Sequence, residues 1–193
     1  MIKRRADDRT ASVAGLPAYE RRIADLGIRA YASVASPASI LRLFRADAGR
    51  AIALSRRLPR VQGFKRISIA RFPGIEDDSR HWSVYMTLDH LVMVNTAITA
   101  LIHAICVNCE HGVEIQIEDV WPHVEAGPDR VQALALVVDR YSRLIERLGP
   151  LRSRETYPHP WFGPLTARHW HALAAIHNRT HRIQIEKIVR QLH

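Results

Sequence analysis

Three histidines lie on predicted helix faces that are otherwise apolar. His177 and His181 are four residues apart in a segment with helical apolar spacing, so their imidazoles are neighbours on one face. His90 is the strongly polar member of the apolar face of another predicted helix. Burying unpaired polar groups costs free energy, and one divalent metal ion satisfies three neutral imidazoles together. The pattern therefore predicts a metal site with His90, His177 and His181 as ligands. Three protein ligands leave a coordination position open, as in catalytic sites.

Two observations limit this interpretation. Each histidine could instead be a core residue that is hydrogen-bonded to a carbonyl or carboxylate group. The residue after His177 is asparagine, whereas zincin proteases carry their glutamate base at that position. The sequence thus argues against a protease of that type, and it leaves the core-histidine alternative open.

A second cluster of potential ligands consists of His103, Cys106, Cys109 and His111. On a helix that also carries His90, His103 and Cys106 point away from it by about 140° or more. They are therefore not expected to join the histidine site. The cysteines are interpreted as ordinary buried residues, with a second metal or redox site as the alternative.

Four other residues near the predicted site have two interpretations each. Asp89 should point away from His90, which favours a surface or inter-helix role over catalysis. Gln184 lies one turn beyond His181 and can orient a ligand imidazole or pack as a helix amide. Trp161 and Phe162 are expected to close one end of the bundle, with a position at a pocket mouth as the alternative.

These histidines need helices to position them, and the chain carries four long amphipathic segments. Apolar spacing, caps and prolines predict an all-α four-helix bundle, with long connections between helices 1 and 2, 2 and 3, and 3 and 4. Ser36 and Pro37 begin the first helix and Thr166 caps the last. Residues 1–35 are predicted to be an N-terminal extension, partly disordered or helical, and residues 36–193 the bundle domain. The other predicted elements are helices 82–107 and 129–148 and a short strand at 66–70.

Composition narrows the function classes. The chain has 193 residues, 28 basic and 19 acidic side chains and two cysteines, which indicates one domain without a disulfide scaffold. No secretory signal and no apolar run of about 18 residues are apparent, so we expect a cytoplasmic protein without membrane partners. No nucleic-acid-binding module is apparent, and nucleic acid is not an expected partner. The arginines between positions 56 and 66 are predicted to hold an anionic substrate or partner.

Three stretches resemble the DinB-like (DinB superfamily) family of four-helix metalloenzymes: Trp82–Leu91, His159–Thr166 and His177–Gln184. The similarity covers roughly residues 37–192. In that family one histidine on the second helix and an H-x-x-x-H pair on the fourth bind the metal. The resemblance thus implies the ligands His90, His177 and His181, and a bundle that is not simply up-and-down.

The resemblance also implies an activity. Relatives in this broader fold use the metal to activate a thiol, so we expect a thiol-dependent S-transferase or isomerase, or a related detoxification enzyme, acting on a small molecule. The expected cofactors are a divalent ion (zinc, nickel or iron) and a low-molecular-weight thiol, and hydrolysis by a metal-activated water is the nearest variant. The alternative is a non-catalytic metal- or ligand-binding bundle of the stress response. Either protein is compatible with a homodimer.

Overall fold

The fold is mostly helical in a computed structural model that describes residues 15–107, 118–153 and 155–192. The disorder predicted for the first dozen residues lies outside these ranges. The described elements are α1 (Ala18–Val34), α2 (Pro37–Arg56), α3 (Arg60–Gly63), α4 (Val84–Val107), α5 (Asp129–Leu148), β1 (Thr156–His159), β2 (Gly163–Thr166) and α6 (Ala167–Leu192), with 3₁₀ turns at Asp78–His81 and Glu118–Val120.

The four long helices α2, α5, α4 and α6 pack in a ring in that order, because each contacts the next and α6 returns to α2. The consecutive pairs α2–α4 and α5–α6 therefore lie across the ring from each other. This arrangement accounts for the long connections, since the chain must cross the bundle twice. Buried apolar side chains fill the interior in two clusters.

The predicted helix ends are confirmed at both caps. The Ser36 hydroxyl accepts a hydrogen bond from the backbone N–H of Ser39 (3.1 Å), directly before Pro37. Thr166 Oγ1 accepts the N–H of His169 at 3.4 Å. Local capping chemistry thus sets the start of the helix that carries two of the three histidines.

The strand predicted at residues 66–70 is wrong, because no described strand pairs with this segment. It bonds through Ile69 N–H to the Arg80 carbonyl and through the Arg66 side chain to the His81 carbonyl (both 3.1 Å). The described strands instead form an antiparallel hairpin of β1 and β2 just before α6. Gly163 has φ +64° where the chain turns back, which favours glycine. The hairpin tip carries His159 and Trp161.

Helix α1 packs against α6 and contributes Ile28 to the core. Its Glu20 carboxylate accepts hydrogen bonds from Arg71 (2.7 Å) and from the backbone N–H of Gly74 (3.1 Å). The predicted N-terminal extension thus includes a helix that holds the connection between α3 and α4.

Helix α4 is long and apolar enough to cross a membrane by length and composition. The expectation that the chain has no such segment is therefore wrong. Its one charged residue, Asp89, is 1% exposed and interrupts the apolar sequence. In this fold α4 lies between α5 and α6.

Candidate metal centre

The three predicted ligands meet on the inner faces of α4 and α6. One nitrogen from each of His90, His177 and His181 lies within 4.8 Å of the other two. The Nε2 atoms of His90 and His177 are 3.1 Å apart. Zinc–nitrogen bonds of about 2.05 Å at tetrahedral angles separate two ligand nitrogens by about 3.3 Å. The spacing therefore fits a shared ion, and we name the three residues the three-histidine centre.

Two of the imidazoles have a tautomer set by a neighbouring acceptor. His90 Nδ1–H donates to the backbone carbonyl of Val120 (2.6 Å), and His181 Nδ1–H donates to Oε1 of Gln184 (2.7 Å). The Gln184 amide in turn donates to the carbonyl of Ser79 (2.6 Å), which fixes its oxygen toward His181. Both Nε2 atoms thus carry a lone pair that can bind an ion. In metal sites, the groups hydrogen-bonded to the other ring nitrogen fix the tautomer and orientation of a ligand imidazole in this way.

His177 has a different environment. Its Nε2 faces His90, and its Nδ1 is buried with no hydrogen-bond partner among the described residues. Neither ring nitrogen of His177 has the carbonyl or carboxylate partner that a core histidine has, since Nε2 meets only another imidazole nitrogen. The core-histidine alternative therefore fits His177 poorly.

Burial keeps the three-histidine centre uncharged. Desolvation lowers the pKa of His90 to about 4 and that of His181 to about 3. It also places the pKa of His177 well below its ordinary value, with further lowering by the other two histidines. At neutral pH all three rings are neutral, which is the protonation state that binds metals.

Hydrogen bonds between buried polar side chains connect α4 to the elements that surround the centre. Asn95 of α4 and Asn178 of α6 are fully buried and exchange amide hydrogen bonds of 2.9 and 3.2 Å. Asp89 accepts hydrogen bonds from the backbone N–H and the Nδ1–H of His123 (2.9 and 2.8 Å). Arg130 of α5 also donates to Asp89 (3.3 Å), which gives Asp89 the inter-helix role. The His123 contacts hold next to α4 the segment whose Val120 carbonyl orients His90.

A cavity of about 140 Å³ opens onto the centre and is lined by all three histidines. Its other walls are mostly apolar and include the side chain of Trp161. Trp161 therefore lines the pocket, which was the alternative interpretation of this residue. Phe162 is 8% exposed and packs in the core. Both interpretations of Gln184 apply, because its side chain orients the His181 imidazole and also packs as an amide inside the bundle.

The second cluster of potential ligands does not join the centre. His103 is exposed and Cys106 half-buried on α4, and neither lines the cavity. Cys109 and His111 lie outside the described residues, as does the basic group at residues 3–5. None of the arginines between positions 56 and 66 lines the cavity, so their predicted role in holding an anionic partner stays a prediction.

Three groups at the site were not identified from the sequence. Val120 acts through its backbone carbonyl, which carries no residue-type signal. Trp121 follows it and lines the cavity. Glu76 also lines the cavity, and burial followed by repulsion from Asp78 raises its pKa to about 7.

The class that these features define is a mostly helical protein with a buried three-histidine cluster that can hold a metal ion. Comparison with protein-family models, curated proteins and solved structures gave no match for this chain.

Proposed function

We propose that the protein is a metal-dependent enzyme of the DinB-like type that uses a low-molecular-weight thiol for S-transfer or isomerisation of a small molecule. The observation that carries the proposal is the convergence of His90, His177 and His181 at the edge of a cavity, two of them with preset tautomers. The three stretches that resemble the family also meet here, since each contributes residues to the cavity wall. We further propose that the protein is cytoplasmic and has no nucleic-acid or membrane partners. The proposed activity is compatible with a homodimer.

The chemistry assigned to the ion, zinc, nickel or iron, is to stabilise a thiolate over a thiol at neutral pH. Val120 and Gln184 keep the Nε2 atoms of their histidines directed inward. The aromatic walls exclude water from the thiol and its electrophile. Glu76 is the one carboxylate among the described lining residues, and its carboxylate oxygen can accept the thiol proton near neutral pH.

Elemental analysis of untagged protein tests the centre. We expect about one divalent ion per chain in the wild type and almost none in His177→Ala, with the same helical content by circular dichroism. His103→Ala is the matched control, because this exposed histidine of α4 lies away from the cavity. Equal metal content in wild type and His177→Ala would remove the proposed centre.

Activity assays separate the enzyme from a binding protein. The metal-loaded wild type should turn over at least one pair from a panel of small thiols and electrophiles, and His177→Ala should turn over none. A stoichiometric ion without turnover across the panel would favour a non-catalytic metal-binding bundle.

A further inference from the structure

All four tryptophans of the chain line the cavity: Trp82, Trp121, Trp161 and Trp170. Trp82 stacks on the ring of His181 (centroids 6.0 Å apart, planes at 11°) and meets Trp121 edge to face (5.4 Å, 88°). The aromatic wall is thus continuous with the three-histidine centre. Aromatic surfaces in these geometries favour another flat ring as a neighbour.

The volume limits how large that ring can be. The cavity measures about 140 Å³, and an apolar cavity of about 150 Å³ in a protein core holds one benzene molecule. Aliphatic side chains such as Val94, Ile98 and Leu173 complete the wall. The cavity therefore has the size and surface for a single aromatic ring.

Two hydrogen-bond donors lie close together in this wall. His159 Nδ1 accepts the backbone N–H of Trp161 at 3.0 Å, so the neutral imidazole carries its hydrogen on Nε2. The ring stacks on Phe162 (4.5 Å, 24°) and lies 5.3 Å from Trp170. Trp170 is 2% exposed, and its Nε1–H has no partner among the described residues.

The His159 Nε2–H makes no hydrogen bond to a described residue, and because His159 is half-buried and lines the cavity, this N–H can donate to a ligand there. Unpaired donors at the edge of a cavity are satisfied by an acceptor on the ligand. A fourth histidine of the cavity wall, distinct from the three predicted to hold metal, is thus available as a donor to a ligand.

We propose that the cavity binds a molecule with one aromatic ring and an oxygen acceptor, with the ring among the tryptophans and the oxygen toward His159 and the three-histidine centre. This assignment rests on the proposed function for the metal, and it names the substrate class of that same site. The aromatic ring and the oxygen have separate tests.

Paired hydroxamates test the ring. Benzohydroxamate and acetohydroxamate share a metal-chelating head and differ in the ring, and their affinities for metal-loaded protein can be measured by calorimetry. We expect benzohydroxamate to bind about 10- to 100-fold more tightly. Trp121→Ala should bring this ratio close to one, and Phe64→Ala should leave it unchanged. Trp121 and Phe64 are both 42% exposed, and Phe64 does not line the cavity.

Phenol and toluene test the oxygen on metal-free protein, with tryptophan fluorescence as the readout. Phenol should bind more tightly than toluene to the wild type. His159→Phe keeps a flat ring and removes the N–H, so it should weaken phenol binding and leave toluene unaffected. Equal losses for both probes would overturn the assigned acceptor.

The outcomes separate this assignment from the metal centre. A protein that takes up no metal but binds phenol through Trp121 retains the aromatic site and loses the proposed function. A metal-loaded protein that binds both hydroxamates equally retains the centre and overturns the aromatic site. Loss of the hydroxamate ratio in Phe64→Ala as well as Trp121→Ala would also overturn it.

Discussion

Replacing Gln184 by leucine should weaken metal binding while the ligands themselves remain. Gln184 is fully buried and accepts the Nδ1–H of His181 at 2.7 Å, while its amide donates to Ser79 at 2.6 Å. In Gln184→Leu the metal-binding tautomer of His181 carries an Nδ1–H without an acceptor, which costs about 1–3 kcal/mol. Metal affinity should therefore fall about 10- to 100-fold.

Competition against a chromogenic zinc chelator measures this change. Gln184→Glu is the matched control, because a carboxylate still accepts from His181 but no longer donates to Ser79. It should keep wild-type or tighter metal affinity, although thermal denaturation of the metal-free protein should show a loss of stability in both variants. Leucine-variant affinity within about twofold of wild type, or equal weakening in both variants, would refute the assigned role of Gln184.

Two further predictions concern stability. Gly63→Ala should destabilise the protein by about 1–3 kcal/mol, because a Cβ at this position would overlap the buried ring of Tyr85. At Gly49 a Cβ meets no atom within 4 Å, so Gly49→Ala should stabilise helix α2 by about 0.5–1 kcal/mol. Urea denaturation of both variants measures these two changes in stability. Burial lowers the pKa of His171 to about 4, so the unfolded chain takes up this proton first as pH falls, and stability should decline between pH 6.5 and about 4 by about 3 kcal/mol from this residue. Urea denaturation across that range should show a shallower slope in His171→Gln, and an unchanged slope would contradict this contribution.

The sequence predicted that these three histidines meet, because helix periodicity fixes side-chain direction. His177 and His181 had to share a face with Trp170 and Ile185, and the structure buries that face against the bundle. The same argument placed His90 inward on α4 and His103 outward. Capping residues located the starts of α2 and α6.

The hairpin was missed for a physical reason. Its prolines, Pro158 and Pro164, face each other across the two strands, and proline lacks the N–H that a strand donates, so the segment did not resemble a strand. The alternating residues 66–70 did resemble one, but none of the described strands lies beside them. The local alternation of polar and apolar residues does not reveal whether a distant segment will pair with a strand.

The groups that orient the three histidines were less predictable from the sequence than the histidines themselves. Val120 contributes a carbonyl from an irregular connection, and its position depends on the contact between Asp89 and His123. Trp121 and Glu76 reach the cavity because two connections fold over the same end of the bundle. Periodicity gives no information about such segments.

The carboxylate of Glu20 has a practical consequence for handling this protein. This carboxylate accepts a hydrogen bond from the backbone N–H of Gly74, and Gly74 is part of the cavity wall. A shortened version beginning at Pro37 would retain every long helix of the ring and all three imidazoles of the three-histidine centre. It would nevertheless lose the Glu20 carboxylate that holds the cavity wall at Gly74. Ligand selectivity measured on the shortened protein would therefore not represent that of the intact chain.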